Sequence, residues 1–87
     1  MIIAVIKWGD AWVDFHDLSL EEAAQLSPIV RYTVGYFVNE TDQAYILCTD
    51  YYEDAGDINS PMVIPKGMVI SIKFLNPEIS SHEDSTP

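Results

Sequence analysis

Carboxylates are the side chains in this sequence that most plainly offer chemistry. Fourteen Asp and Glu stand against four Lys and Arg, giving a formal charge of −10 at pH 7 and a pI near 4.1. They are not evenly spread. Residues 8–28 hold Asp10, Asp14, Asp17, Glu21 and Glu22, and residues 40–57 hold Glu40, Asp42, Asp50, Glu53, Asp54 and Asp57. Neither segment contains a Lys or Arg; Lys7, Arg31, Lys66 and Lys73 all fall outside. Such segregation leaves acids unpaired, and their mutual repulsion costs stability. A surface serving solubility alone is better built from interspersed signs. Same-face carboxylates on strands and helix turns repeat at roughly 5–7 Å, and DNA phosphates at about 3.4 Å along each strand. Rows of carboxylates can therefore engage a line of Lys and Arg on a DNA-binding protein. The charge map predicts partner binding by these eleven acids, with the bordering Trp12, Tyr51 and Tyr52 as interface anchors. The plain alternative is a solvated acidic surface with no partner.

Other chemistries fit less well. Asp50 to Asp57 (Asp-Tyr-Tyr-Glu-Asp-Ala-Gly-Asp) resembles a calcium loop superficially. Setting Gly56 at the sixth position puts Tyr51 first and Ala55 fifth, where oxygen ligands are needed, so the motif fails. His16 sits among acids and His82 is far away; with one cysteine they make no zinc spacing. No metal or other cofactor is expected. Cys48 is the only cysteine, so no internal disulfide forms, and its apolar run Tyr45-Ile46-Leu47-Cys48 predicts a buried, inert thiol in a reducing, cytoplasmic setting. Carboxylates are plentiful, yet no pair is visibly set in the contrasting environments that acid/base catalysis requires. There is no nucleophile elbow and no phosphate-cradling glycine loop. The chain is read as a non-enzyme. A barrel that sequesters a nucleotide signal is the rival from another class, disfavoured because phosphates need Lys or Arg and only four are present.

Length and composition bound what must position these groups. Eighty-seven residues make one domain, and 48% hydrophobic content is too apolar for a disordered acidic tail. A modest core is within reach. No run is long enough to span a membrane, and Ile2-Ile3-Ala4-Val5-Ile6 lacks a basic flank and reads as a strand rather than a leader. Binding to nucleic acid or an anionic membrane through a basic patch is not expected.

The spacing predicts a strand, a helix, then four strands. Ile2 to Lys7 is β-branched, followed by an irregular stretch to Leu18. Ser19-Leu20-Glu21-Glu22 is a capping box opening a helix to about Leu26, which Pro28 stops; at two turns it must dock on a sheet. Ile29 to Asn39 is a long strand with Val30, Tyr32, Val34, Tyr36 and Val38 on one face and a bulge or bend at Gly35. A short polar loop leads to a strand over Ala44 to Tyr51, then an acidic loop from Glu53 to Ser60. Met62 to Ile64 is a short strand, and Ile64-Pro65-Lys66-Gly67 suits a type I turn. Val69 to Leu75 closes the set, with Ile70, Ile72 and Phe74 inward. Residues 1–75 form the domain and 76–87 a disordered tail. The expected class is α+β and mostly β: a small five-stranded, strongly bent sheet or barrel, of order β-α-β-β-β-β. Closure would remove exposed edges.

Five motifs share one order and spacing: Trp8-Gly9-Asp10-Ala11-Trp12, Ser19-Leu20-Glu21-Glu22-Ala23, Val34-Gly35-Tyr36-Phe37-Val38-Asn39-Glu40, Ile64-Pro65-Lys66-Gly67 and Ile70-Ser71-Ile72-Lys73-Phe74-Leu75. This pattern resembles a loose group of short bacteriophage-encoded proteins expected to form Sm-like or SH3-like barrels. The likeness spans about residues 5 to 75; it implies a fold and a source and carries no site. By acidity the chain resembles phage host-takeover proteins that mimic DNA. That second resemblance implies a basic host partner, an HU-type histone-like nucleoid protein first. RNA polymerase, a restriction or recombination enzyme and a repressor are the alternatives. It further implies action in the bacterial host cytoplasm as a monomer or small homo-oligomer.

Overall fold

The computed structural model describes residues 1–54 and 56–76. The expected tail lies, from residue 77 onward, outside the described residues. The chain is mostly β. Its strands are β1 (Ile3–Asp10), β2 (Ile29–Glu40), β3 (Ala44–Cys48), β4 (Asp50–Tyr51), β5 (Ile58–Asn59), β6 (Met62–Pro65) and β7 (Val69–Leu75), with one helix, α1 (Leu20–Ala23). Five strands form one antiparallel sheet in the order β6-β3-β2-β1-β7, while β4 and β5 form a separate two-stranded hairpin.

The sheet curls because its edges are tied by a short piece of chain. A 3-10 turn over Lys66–Met68 carries the chain from β6 at one edge to β7 at the other. Four residue steps from Pro65 to Val69 reach at most about 14 Å. Five flat strands would hold the edges about 19 Å apart. Only a rolled sheet meets that limit. The rolling stops short of closure: β6 and β7 are not hydrogen-bonded to each other, so the barrel alternative is corrected to an open, curled sheet.

Directly paired residues share a face. Ala4, Ile6 and Trp8 lie inside with Phe37, Tyr45, Leu47, Ile64, Val69 and Ile72; of these Ala4, Ile6, Leu47 and Ile64 are fully buried. Trp8 Nε1 donates to Thr33 Oγ1 at 2.9 Å, which satisfies the indole in the core wall. Phe37 and Phe74 meet edge to face at 5.3 Å.

Several local expectations are corrected. The first strand runs on to Asp10, where its ladder with β2 ends at Ile29. The alternating set Val30, Tyr32, Val34 and Tyr36 does share a face, but it is the outer one, since Tyr36 pairs with Ile3 and Val34 with Val5. The concave side receives Thr33 and Gly35, whose small size lets the sheet roll. The bulge falls between Phe37 and Asn39, so Val38 leaves the alternation and Gly35 stays in register opposite Ala4. A second bulge, between Lys7 and Trp8, skips Ile70 in the β1–β7 ladder; Ile70 is exposed and Val69 takes the inward place. The strand expected through Tyr51 breaks at Thr49, and the acidic loop contains β5, which folds back on β4. The type I turn is a 3-10 turn. Helix α1 is a single turn and buries no residue. Its capping box forms, with Glu22 N donating to Ser19 Oγ at 3.1 Å and Ser19 N to Glu22 Oε1 at 3.3 Å. Local bonds of this kind, not docking, hold it.

Candidate functional site

The eleven acids named from the sequence fall on three chain connections. Asp10 ends β1 and Asp14, Asp17, Glu21 and Glu22 follow it in the link to β2; Glu40 ends β2 and Asp42 follows it in the tight turn to β3; Asp50, Glu53, Asp54 and Asp57 belong to the β4–β5 hairpin. Each connection is built differently. The β1–β2 link is pinned at its neck, where Trp12 Nε1 donates to the Ser27 carbonyl at 2.6 Å and Arg31 Nε to Asp10 Oδ2 at 2.6 Å. Inside it, the His16 amide donates to Asp14 Oδ1 at 2.9 Å, and His16 Nδ1 lies 2.8 Å from the same oxygen. That amide bond, then the imidazole bond, lowers the Asp14 carboxyl below its ordinary 3.8. The β2–β3 turn is tied by Thr41, whose hydroxyl accepts from the amides of Gln43 and Ala44. Lys66 Nζ donates to Glu40 Oε2 at 2.6 Å across this turn, and that bond raises the ammonium above its usual 10.5. The hairpin is anchored by Tyr51, which meets Tyr36 edge to face at 5.0 Å on the outer face of the sheet.

Three of the eleven acids are therefore matched to a basic side chain: Asp10 by Arg31, Asp14 by His16 and Glu40 by Lys66. Glu22 turns to its own helix start. Among the described residues no ion pair engages Asp17, Glu21, Asp42, Asp50, Glu53, Asp54 or Asp57, and all seven are exposed. These seven are the carboxylates with charge to spare for a partner. No cluster of three or more His, Cys, Asp or Glu able to hold a metal occurs among the described residues. Cys48 is buried, and burial, with a smaller contribution from Asp50, pushes its thiol pKa up.

The aromatic anchors divide. Trp12 is committed to the neck and Tyr51 to Tyr36, whereas Tyr52 is 58% exposed. Two stronger candidates were missed by sequence reasoning. Phe15 is 92% exposed between Asp14 and Asp17, and Leu20 is 90% exposed beside Glu21. Each forgoes burial worth about 1.5–3 kcal/mol. For Phe15 the available signal was a large apolar residue among acids in an irregular stretch; Leu20 lies in the helix that was expected to dock on the sheet, and it is exposed because α1 does not dock.

Lys7 and Lys73, which the ion pairs leave over, lie together on the outer face. Lys7 pairs with Ser71 and Val5 with Lys73, so the two lysines are diagonal neighbours on β1 and β7. With Val5, Tyr32 and Ser71 they line a shallow groove of about 310 Å³. No helix among the described residues is long and apolar enough to cross a membrane. Comparison with family profiles, with curated proteins and with solved structures finds no match to this chain.

Proposed function

We propose that this chain is a non-catalytic inhibitor that presents carboxylates to a basic DNA-binding protein and competes with DNA for it. The observation that carries the reading is the charge accounting. Seven exposed carboxylates on three connections have no ion-pair partner among the described residues, while two of the four bases are spent on Asp10 and Glu40. Folded connections hold these charges in place before binding, so less entropy is lost on docking than for charges on a free chain. Phe15 and Leu20 add apolar anchors inside the acidic surface, which a partner with an apolar pocket ringed by Lys and Arg would fit. In its acidity the chain resembles phage host-takeover proteins that mimic DNA, and on that resemblance the partner is a host protein of the HU type and the site of action the bacterial cytoplasm. Sequestration of a nucleotide signal is the weaker reading, because only Lys7 and Lys73 remain to hold phosphates.

The test is competition. A labelled DNA duplex bound to purified HU-type protein is titrated with this chain, and anisotropy reports release. Release is expected at low salt, with affinity falling steeply towards 0.15 M, where charges screen beyond about 8 Å. Replacing Asp17, Glu21, Glu53 and Asp54 by Asn or Gln should weaken the competition at least tenfold, about 1.4 kcal/mol. Flat salt dependence, or full competition by the neutralised variant, refutes the electrostatic account. Failure on HU, with recovery of another basic DNA-binding protein from lysate, changes the partner and keeps the mechanism.

A further inference from the structure

The outer face of the sheet carries a surface whose chemistry is the opposite of the acidic connections. Lys7 and Lys73 are the two bases with no ion pair among the described residues. They sit on one face in a chain of net charge −10. Diagonal neighbours on paired strands stand about 7–8 Å apart. Lys7 Nζ lies 5.8 Å from the centre of the Tyr32 ring, which holds the ammonium over an apolar floor. Around them Tyr32, Val34 and Leu75 are 68%, 63% and 57% exposed. A cationic pair within an apolar patch matches, in kind and sign, the Asp14-Phe15-His16-Asp17 and Leu20-Glu21 stretch of the same chain. Among the described residues no ion pair joins the two surfaces within one molecule.

We propose that two copies of this chain associate reciprocally, the β1–β2 connection of each lying on the lysine-bearing outer face of the other. The alternatives fail on sign. Outer face against outer face would set Lys7 and Lys73 against their own copies. Connection against connection would set Asp17 and Glu21 against theirs. An acidic connection on the lysine face joins opposite charges, and among the acidic connections the β1–β2 link carries the most exposed apolar side chains, Phe15 and Leu20, to set against Tyr32, Val34 and Leu75; a two-fold arrangement makes that contact twice and closes. Net repulsion between the copies acts at long range and is screened at physiological salt, whereas touching pairs are screened less. Association is therefore strongest at intermediate ionic strength, weakened at low salt by repulsion and at high salt by loss of the local pairs. The inference is independent of the proposed function. Its consequence is regulatory: the dimer covers Phe15, Asp17, Leu20 and Glu21, so self-association and capture of a basic partner exclude one another.

The experiment uses the full chain alone. Sedimentation velocity at 0.15 M salt, from about 10 μM to about 1 mM, should show a monomer converting to a dimer. Lys7→Glu/Lys73→Glu should be monomeric throughout, as should Asp17→Lys/Glu21→Lys. Mixed in equal amounts, the two variants regain both contacts, one with the native signs and one with the signs reversed, and should form a heterodimer. Misfolded chains cannot produce that rescue. Phe15→Ser, at a site that buries almost nothing in the monomer, should weaken dimerisation at least tenfold without changing the melting temperature. A wild-type monomer at the highest concentration overturns the proposal. So does a dimer insensitive to both charge reversals, or a mixture that stays monomeric.

Discussion

Gly35 is the residue on which the curl of the sheet can be tested most directly. It pairs with Ala4 on β1 and faces the concave side, and its φ lies outside the left-handed region. An added side chain would therefore meet no backbone strain, and the expected cost is steric. A Cβ at this position would stand 2.8 Å from the Cys48 carbonyl oxygen and 3.2 Å from Leu47 Cβ. Ordinary carbon-to-carbonyl contacts are about 3.3–3.6 Å, so roughly 0.5 Å of movement is required. The obstructing atom is backbone in the β3 strand, which is bonded on both sides to β2 and β6, so it does not yield cheaply. Overpacking of this kind costs about 1–3 kcal/mol. Against it, replacing Gly by Ala restricts the unfolded chain and returns about 0.4–1 kcal/mol.

Gly35→Ala should thus destabilise by about 1.5 kcal/mol, and Gly35→Val by more, because both branch methyls enter the same space. For a domain of this size each kcal/mol moves the melting temperature by about 4–8 °C. Gly67 is the internal control. A Cβ there meets nothing within 4 Å and its φ is also not left-handed. Gly67→Ala should be neutral or raise the melting temperature by a few degrees, through the unfolded-state effect alone. Thermal denaturation followed by circular dichroism reads all three. A Gly35→Ala protein melting as high as the Gly67→Ala protein would mean that the β2–β3 approach is slack and that the curl does not depend on it.

Two further outcomes follow from the titratable groups. Asp14 has its folded pKa depressed, so its contribution to stability is present above the unfolded value and is lost as pH falls through the folded one; an NMR titration should place its midpoint below 3.8, and His16→Ala should return it only part of the way, since the larger, backbone bond remains. Cys48 is buried with its thiol pushed up, so at pH 8 a disulfide reagent should modify the native protein at least about tenfold more slowly than the denatured chain, the factor supplied by 1.4 kcal/mol of opening free energy.

Much of the strand content was legible because β-branched and aromatic residues crowd Ile3 to Lys7, Ile29 to Val38 and Val69 to Leu75. The choice of inner face was not. β2 alternates Val30, Tyr32, Val34 and Tyr36 with Arg31, Thr33 and Gly35, so alternation alone favours the larger apolar set for the core; the small residues Thr33 and Gly35, opposite Ile6 and Ala4, are seen to face inward only once the register is known. Helix α1 shows the same limit. Its start was written in the capping box, but its end was not, because Gln25 and Leu26 donate to the carbonyls of Glu22 and Ala23, three residues back, and continue as a tighter turn. For the candidate site, the acids could be counted in advance, whereas the pairing of Asp10, Asp14 and Glu40 depends on which chain ends the fold brings together.

The exposed apolar residues and the excess acid belong to one physical account. The chain is 48% hydrophobic, yet its fully packed centre is Ala4, Ile6, Leu47 and Ile64. Apolar side chains beyond what the small core accepts lie on the outer sheet face, at Tyr32, Val34 and Leu75, and in the β1–β2 connection, at Phe15 and Leu20. Surfaces of that composition would associate with many partners if they were neutral. Placing Asp14, Asp17 and Glu21 beside Phe15 and Leu20 repels every apolar surface that is also acidic, including the same connection on another copy. Placing Lys7 and Lys73 beside Tyr32 and Val34 likewise repels that face from itself. What the two charge patterns leave open is a basic apolar surface for the connection and an acidic one for the sheet. The charges thus decide which contacts the exposed apolar side chains can make, and the apolar side chains supply the burial that charge pairs at a wet surface lack.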